Sequence, residues 1–373
     1  MRAAWLLVVC VVAAACGGPV TVYEATPVPS PSPSPQPRAA APPLGAQATP
    51  DPAGACVGCW PFTGLPTKPD APVFRRPLLV KIDNAPAGRP HYGITQADAV
   101  FEILVEGLVT RLAVVFHSQD PASIGNVRSA RLADRSLTPM VRGALVYSGT
   151  SAYELPLIRG DAAQGRYVDL SADYTGGYYR VAFRGGPYDM FTSAVAMRQN
   201  LAALGATTVT DIPKWGFLAD PDHPPQIAGM AGAAAATEIT VPYRPDSSLV
   251  TYRYDASARS YARFQNAASR PVREVDGANN APVAAANVVV IQTEIWEVPE
   301  IVDAAGAHAH DMRLVGTGVA TVFRDGLRQD GTWSRKDDRA PFVFTNAPGE
   351  QILLTPGQTW FHIIPNDWRV ISR

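Results

Sequence analysis

Ten prolines fall within the 26 residues from Pro27 to Pro52. Proline fixes φ and carries no amide donor, so this segment can form neither a helix interior nor a central strand. From Val28 to Pro37 proline alternates with small polar residues, and Pro42, Pro43, Pro50 and Pro52 follow. The stretch is expected to be an extended polyproline-II spacer, and at roughly 3.1 Å per residue some 40 residues reach on the order of 100 Å. A docking peptide for an SH3-like domain is the alternative, but a stalk explains the composition better. Whatever folds lies behind it.

The residues before the stalk read as an export signal: Arg2, an apolar run from Ala3 to Ala15, then Cys16. The run is too short to span a bilayer, which takes about 20 residues. Ala13-Ala14-Ala15-Cys16 resembles a bacterial lipobox, with Ala13 where leucine is commonest. Cys16 is therefore the expected lipidation site, anchoring an extracytoplasmic protein to the bacterial cell membrane; an ordinary secretory signal is the alternative. Cys10 would leave with the signal, so Cys56 and Cys59 remain. A zinc ribbon needs a second such pair and a thioredoxin-type site a βαβ context. A local disulfide is expected in an oxidising exterior.

At 373 residues and 47% hydrophobic the chain can bury more than one core, and its length suggests two domains at about 150 residues each. Lys+Arg 32 against Asp+Glu 33 gives a net charge of −1, which argues against a nucleic-acid partner held by bulk positive charge. The organisation read is a signal at 1–16, a tether at 17–59, an α+β domain at 60–225 and a β-rich domain at 226–373. The fold class expected is α+β, a mixed layered domain followed by a mainly β one.

In the first domain the Arg76–Asp83 run is a buried strand ending at an Asp83-Asn84 turn. Ala99–Glu106 and Arg111–Ser118 are expected to form a hairpin across a four-residue loop. That register sets Glu106 opposite Arg111 and Glu102 opposite Val115, with both glutamates on Arg111's face. As a glycosidase pair the glutamates fail, since four strand residues separate them by roughly 13 Å. A Glu106–Arg111 ion pair is the expectation.

A helix starting near Arg128 or Ser129 would put Arg128, Arg131 and Arg135 on one face. Two arginines in a first turn oppose the helix dipole, and a bound phosphate or carboxylate would relieve that. A solvated arginine face is the alternative. Ala144–Ser148 reads as a strand leading into a short helix, and Ser148, Thr150 and Ser151 could donate to the same anion. No G-x-S-x-G elbow surrounds them, so a serine hydrolase is not indicated. Tyr178–Phe183 reads as a strand, and Asp189–Leu204 as a helix capped by Asp189 or Thr192.

Several motifs occur in one order. They are Trp60-Pro-Phe-Thr-Gly-Leu-Pro66, Ile82-Asp-Asn84, Arg89-Pro90, Gln96-Ala-Asp98, Phe101-Glu102, Glu106-Gly107, Thr110-Arg111 and Gly125-Asn-Val-Arg-Ser-Ala-Arg131. Phe323-Arg-Asp-Gly326, Gly331-Thr-Trp-Ser-Arg335 and Pro356-Gly-Gln-Thr-Trp360 follow. From about Trp60 to Pro365 the chain resembles the YerB-like bacterial lipoproteins, a two-part domain of unknown function. The resemblance implies an α+β N-terminal domain and an exported, often lipidated protein, and no established reaction. Where that family has Arg-x-x-Pro-His-Asn, this chain has Arg184-Gly-Gly-Pro187-Tyr188-Asp189, so no role of that histidine carries over. His91 stands where glutamine is more usual.

The second domain reads as strands over Glu238–Tyr243, Leu249–Tyr254, Ser260–Phe264, Val288–Val298, Arg313–Phe323 and Thr359–Ile364. Trp296, Trp333, Trp360 and Trp368 could form a sugar platform, but core and edge packing is the expected use. His308 and His310 lack a third metal ligand nearby and are expected in a flexible loop. No metal site and no cofactor is read. The functional expectation is a phosphate- or carboxylate-bearing envelope ligand held by Arg128 and Arg131, with Arg89, Glu102, Glu106, Arg111, Ser129 and Ser148 as further candidates. No nucleophile–base pair is recognisable, and a non-catalytic interaction module is the alternative.

Overall fold

The computed structural model describes residues 58–219, 226–303 and 306–373. The signal, the stalk, Cys16 and Cys56 lie outside the described residues; Cys59 is disulfide-bonded. The fold is α+β, with three α-helices among the described residues: Asp134–Met140, Glu154–Ala163 and Ala194–Ala203.

The apolar runs become the centre of an eleven-stranded sheet. Its order from one edge is Val343–Thr345, Leu327–Arg335, Gly316–Arg324, Asn287–Thr293, Thr359–Pro365, Ala99–Leu104, Thr110–Phe116, Leu78–Asp83, Ala144–Tyr147 and Val168–Ser171, with Ala234–Ala235 pairing beside Leu327–Arg335. Residues on both sides of position 225 share this sheet, because Ala99–Leu104 pairs in parallel with Thr359–Pro365. Strands at the middle are buried on both faces, which is why they read as continuous apolar runs.

One face packs against the helices Asp134–Met140 and Glu154–Ala163 through Leu79, Phe101, Val115, Leu137, Leu145 and Ile158. The other packs against a six-stranded sheet through Val80, Val100, Val114, Val241, Tyr252 and Trp360. No helix among the described residues is long and apolar enough to cross a membrane.

Four local expectations are corrected. The hairpin pairs Glu102 with Leu112 rather than Val115. Its connection is a tight turn over Glu106–Leu108, with Gly107 and Leu108 both at positive φ and Val105 N–H donating to Val109 O at 2.9 Å. The three-residue shift is odd, so it turns Glu102 to the face opposite Arg111. The segment at Arg128 is extended. Val127 N–H donates to Met190 O, Arg128 N–H to Lys81 O and Ala130 N–H to Gly149 O, so these donors are spent before a helix can use them. The helix begins at Asp134 instead.

Asp189–Thr192 is also not helical: Met190–Thr192 is a strand paired with Ile124–Gly125 and Tyr179–Arg180. The helix behind it is capped by Ser193, whose hydroxyl accepts from Ala196 N–H. Finally, His308 and His310 lie on the strand His308–Met312, with His310 Nδ1 donating to Val105 O at 3.0 Å. Trp333 and Trp360 are fully buried, which excludes them from a sugar platform.

Candidate functional site

The informative cluster sits at the carboxyl end of the Leu78–Asp83 strand. Lys81 and Asp83 point to the helical face, and the antiparallel register sets Arg111 directly beside Asp83. The extended 124–130 segment then crosses this end of the sheet and brings Arg128, Ser129 and Arg131 to the same place.

Most charges there are matched. Arg128 Nε donates to Asp83 Oδ2 at 2.9 Å. Arg131 makes a two-point contact with Glu106, Nε to Oε1 at 2.7 Å and Nη2 to Oε2 at 2.8 Å. Lys81 Nζ lies 2.8 Å from Asp134 Oδ1, both side chains fully buried. Burial tends to raise the Glu106 carboxyl, but Arg131 and Arg111 together hold it below the usual carboxylate range. The expected Glu106–Arg111 ion pair is thus replaced by Glu106–Arg131, because the turn carries Glu106 past the strand end.

Arg111 is the exception. It is 6% exposed, its Nη1 donates to Ser129 O at 3.1 Å, and its Nε has no partner. No carboxylate among the described residues forms an ion pair with it. Burial, reinforced by the neighbouring Arg131 and Arg128, pushes its pKa down to about 9 against the pull of Asp83 and Glu106. Four cations (Lys81, Arg111, Arg128, Arg131) face three ion-paired carboxylates (Asp83, Glu106, Asp134). One positive charge is left over, and it belongs to the most buried arginine of the three.

The rim completes the geometry. The loop after the Ala144–Tyr147 strand is locked to the arginine segment by Ser148 N–H to Arg128 O at 3.0 Å. The Ser129 and Ser148 hydroxyls make no hydrogen bond with any described residue, and Arg128 stacks over Tyr188 with 5.9 Å to the ring centre. The next helix is closed by a reciprocal cap, Ser151 Oγ accepting from Glu154 N–H and Glu154 Oε2 accepting from Ser151 N–H. Its amino end therefore has no call on an anion. Glu154 Oε1 is buried without a partner beside this loop.

Two expected members lie elsewhere. Glu102 is fully buried on the opposite face, accepting from Asn84, Thr110 and Arg263 at 2.9, 2.8 and 2.7 Å. Arg89 donates through Nη2 to Ser247 O and Asn266 O, on the side of the six-stranded sheet. Sequence reasoning missed Lys81, Asp83 and Asp134. The signal was present in Lys81, a charge inside an apolar strand that must find a partner. No three-residue metal-ligating group occurs among the described residues.

This arrangement can be set beside known proteins. Residues 62–207 match the family described as "Protein of unknown function (DUF3048) N-terminal domain", and residues 239–361 match its C-terminal domain. The chain belongs to this DUF3048 family. A relative from Bacillus subtilis (strain 168), named "Putative lipoprotein YerB", is 28% identical over 312 residues, covering 82% of this chain and 86% of that protein. A solved structure, the YerB protein from Bacillus subtilis, matches with a TM-score of 0.69 and 25% identity over 84% of this chain and 99% of that one. The YerB-like resemblance read from the motifs is thereby shown, and Arg111, Arg128 and Arg131 all lie within the DUF3048 N-terminal match.

Proposed function

We propose that this protein is an exported lipoprotein, held at the membrane through Cys16 and a proline-rich stalk. Its arginine site binds a phosphate- or carboxylate-bearing cell-envelope ligand. Arg111, Arg128 and Arg131 supply the charge, and the Ser129 and Ser148 hydroxyls supply neutral donors. The observation that carries this reading is Arg111, a buried guanidinium with no carboxylate of its own between two other arginines. An anion in contact with it would compensate the charge and satisfy free donors together. The relative's name supports the lipoprotein half of the reading.

The rival reading is a non-catalytic protein-interaction module with structural arginines, favoured by the pairing of Arg128 with Asp83 and Arg131 with Glu106. A thermal-shift series with pyrophosphate and a phosphate-bearing wall polymer separates the two. The anion reading expects wild-type stabilisation that grows with concentration, about 2.7 kcal/mol at a hundred times Kd. The Arg128→Ala/Arg131→Ala variant should lose it. No stabilisation of the wild type, or an equal one in the variant, contradicts the proposal.

A further inference from the structure

Arg89, separated from the arginine site, stands at a cavity of its own. The cavity is about 230 Å³ and lies between the turn at Pro86–Gly88 and the hairpin formed by Ser260–Ala267 and Arg270–Arg273. Pro86, Pro90, Val272 and Val275 give it mainly apolar walls, and Arg89 is the cation that faces it; Arg273 alternates with Val272 and Glu274 and turns its side chain to the other face of the hairpin. Its one carboxylate, Glu274, is turned inward and engaged by Arg263 and His91. Arg89 is fixed through Nη2 by two carbonyls, which leaves Nε and Nη1 without partners. Arg89 has no ion pair among the described residues. Burial, helped by Arg263, pulls the Arg89 pKa down to about 10.

We infer that this cavity is a binding site for a small amphipathic carboxylate, the acid group meeting Arg89 and the hydrocarbon body lying against the two prolines and two valines. The volume falls below the roughly 300–1,000 Å³ of sites for drug-sized ligands, which restricts the occupant to a short chain or a single ring. A bare inorganic anion would leave the apolar walls wet, and an amine would add a second positive charge. The inference does not rest on the arginine site proposed above.

The test is titration calorimetry on the full chain with hexanoate, acetate and hexylammonium. Hexanoate should bind, acetate should bind about tenfold more weakly or worse because its missing methylenes bury nothing, and hexylammonium should not bind. Arg89 holds two carbonyls, so its removal could unfold the loop. The variant used is therefore Val272→Asp, at a side chain 52% exposed on a strand. It should keep the wild-type melting temperature and weaken hexanoate by about tenfold or more through like-charge repulsion at the mouth. Arg128→Ala/Arg131→Ala should bind hexanoate as the wild type does, which keeps this result independent of the pyrophosphate one. Absence of hexanoate binding, equal binding of acetate or hexylammonium, or unchanged binding in Val272→Asp overturns the inference.

Discussion

Arg263→Met should lower the free energy of unfolding by about 3–5 kcal/mol, measured as a fall in the urea midpoint at unchanged slope. Arg263 is fully buried and lies with its guanidinium 4.2 Å from the centre of the Trp360 ring. Its Nη2 donates to Glu102 Oε2 at 2.7 Å, and its Nη1 contacts Glu274 and donates to Gln265 Oε1 at 3.1 Å. The cost of the substitution is not the loss of packing, since methionine fills much of the same space. It is the stranding of two carboxylates in an interior with no other full cation against them. His91 cannot replace it. Its Nε2 already donates to Asp83 O, and its burial opposes a full positive charge on the ring. Adding Glu102→Gln should recover part of the lost stability, because it removes one stranded charge while keeping an acceptor for Asn84 and Thr110. A double variant no more stable than Arg263→Met would show that packing, not charge, dominates there.

The second large effect is acid sensitivity. His117 and His362 are fully buried. Burial, then the nearby Arg75 and Arg198, pushes His117 down to about 3. Burial, then Arg263, pushes His362 well below its ordinary value. His117 Nε2 donates to Arg75 O at 3.0 Å and its Nδ1 has no partner, while His362 Nε2 meets the Tyr252 hydroxyl at 2.9 Å. Unfolded, both rings take up protons near pH 6.5, and folded they do not. The unfolded state thus binds more protons across this window, and stability falls as pH falls below about 6.5. At about 1.4 kcal/mol per pH unit for each ring, the two together cost about 4 kcal/mol between pH 7 and pH 5, above the range where carboxylates titrate. Urea unfolding at those two pH values reads this directly. A flat profile would mean that both rings take up protons in the folded protein, and a fall of about half that size that one of them does.

The sequence was legible where the signal is local and apolar. Runs such as Leu78–Asp83 and Asn287–Thr293 declare themselves because both faces of those strands are buried. It was illegible where one backbone detail sets a face. The positive-φ turn at Gly107 and Leu108 moved the hairpin by three residues, and with it Glu102 passed from a candidate ligand group to a core carboxylate. The helix expected to align Arg128, Arg131 and Arg135 is absent at Arg128, and Arg89 lies elsewhere, but the structure brings Arg111, Arg128 and Arg131 together. Backbone bonds from Arg128 to Lys81 and from Ala130 to Gly149, not helical spacing, bring them together. Arg263 was invisible for another reason: its partner Glu102 lies 161 residues away, and no local pattern joins them.

The claim that Arg111 is held uncompensated for a ligand is tested most directly by the thermal stability of Arg111→Met with and without pyrophosphate. A buried charge lacking a partner destabilises the resting protein, so the variant should melt higher than the wild type without ligand, by the equivalent of about 1–4 kcal/mol. It should gain nothing from pyrophosphate. A variant that melts lower than the wild type without ligand, or that pyrophosphate still stabilises to the wild-type extent, would contradict the account.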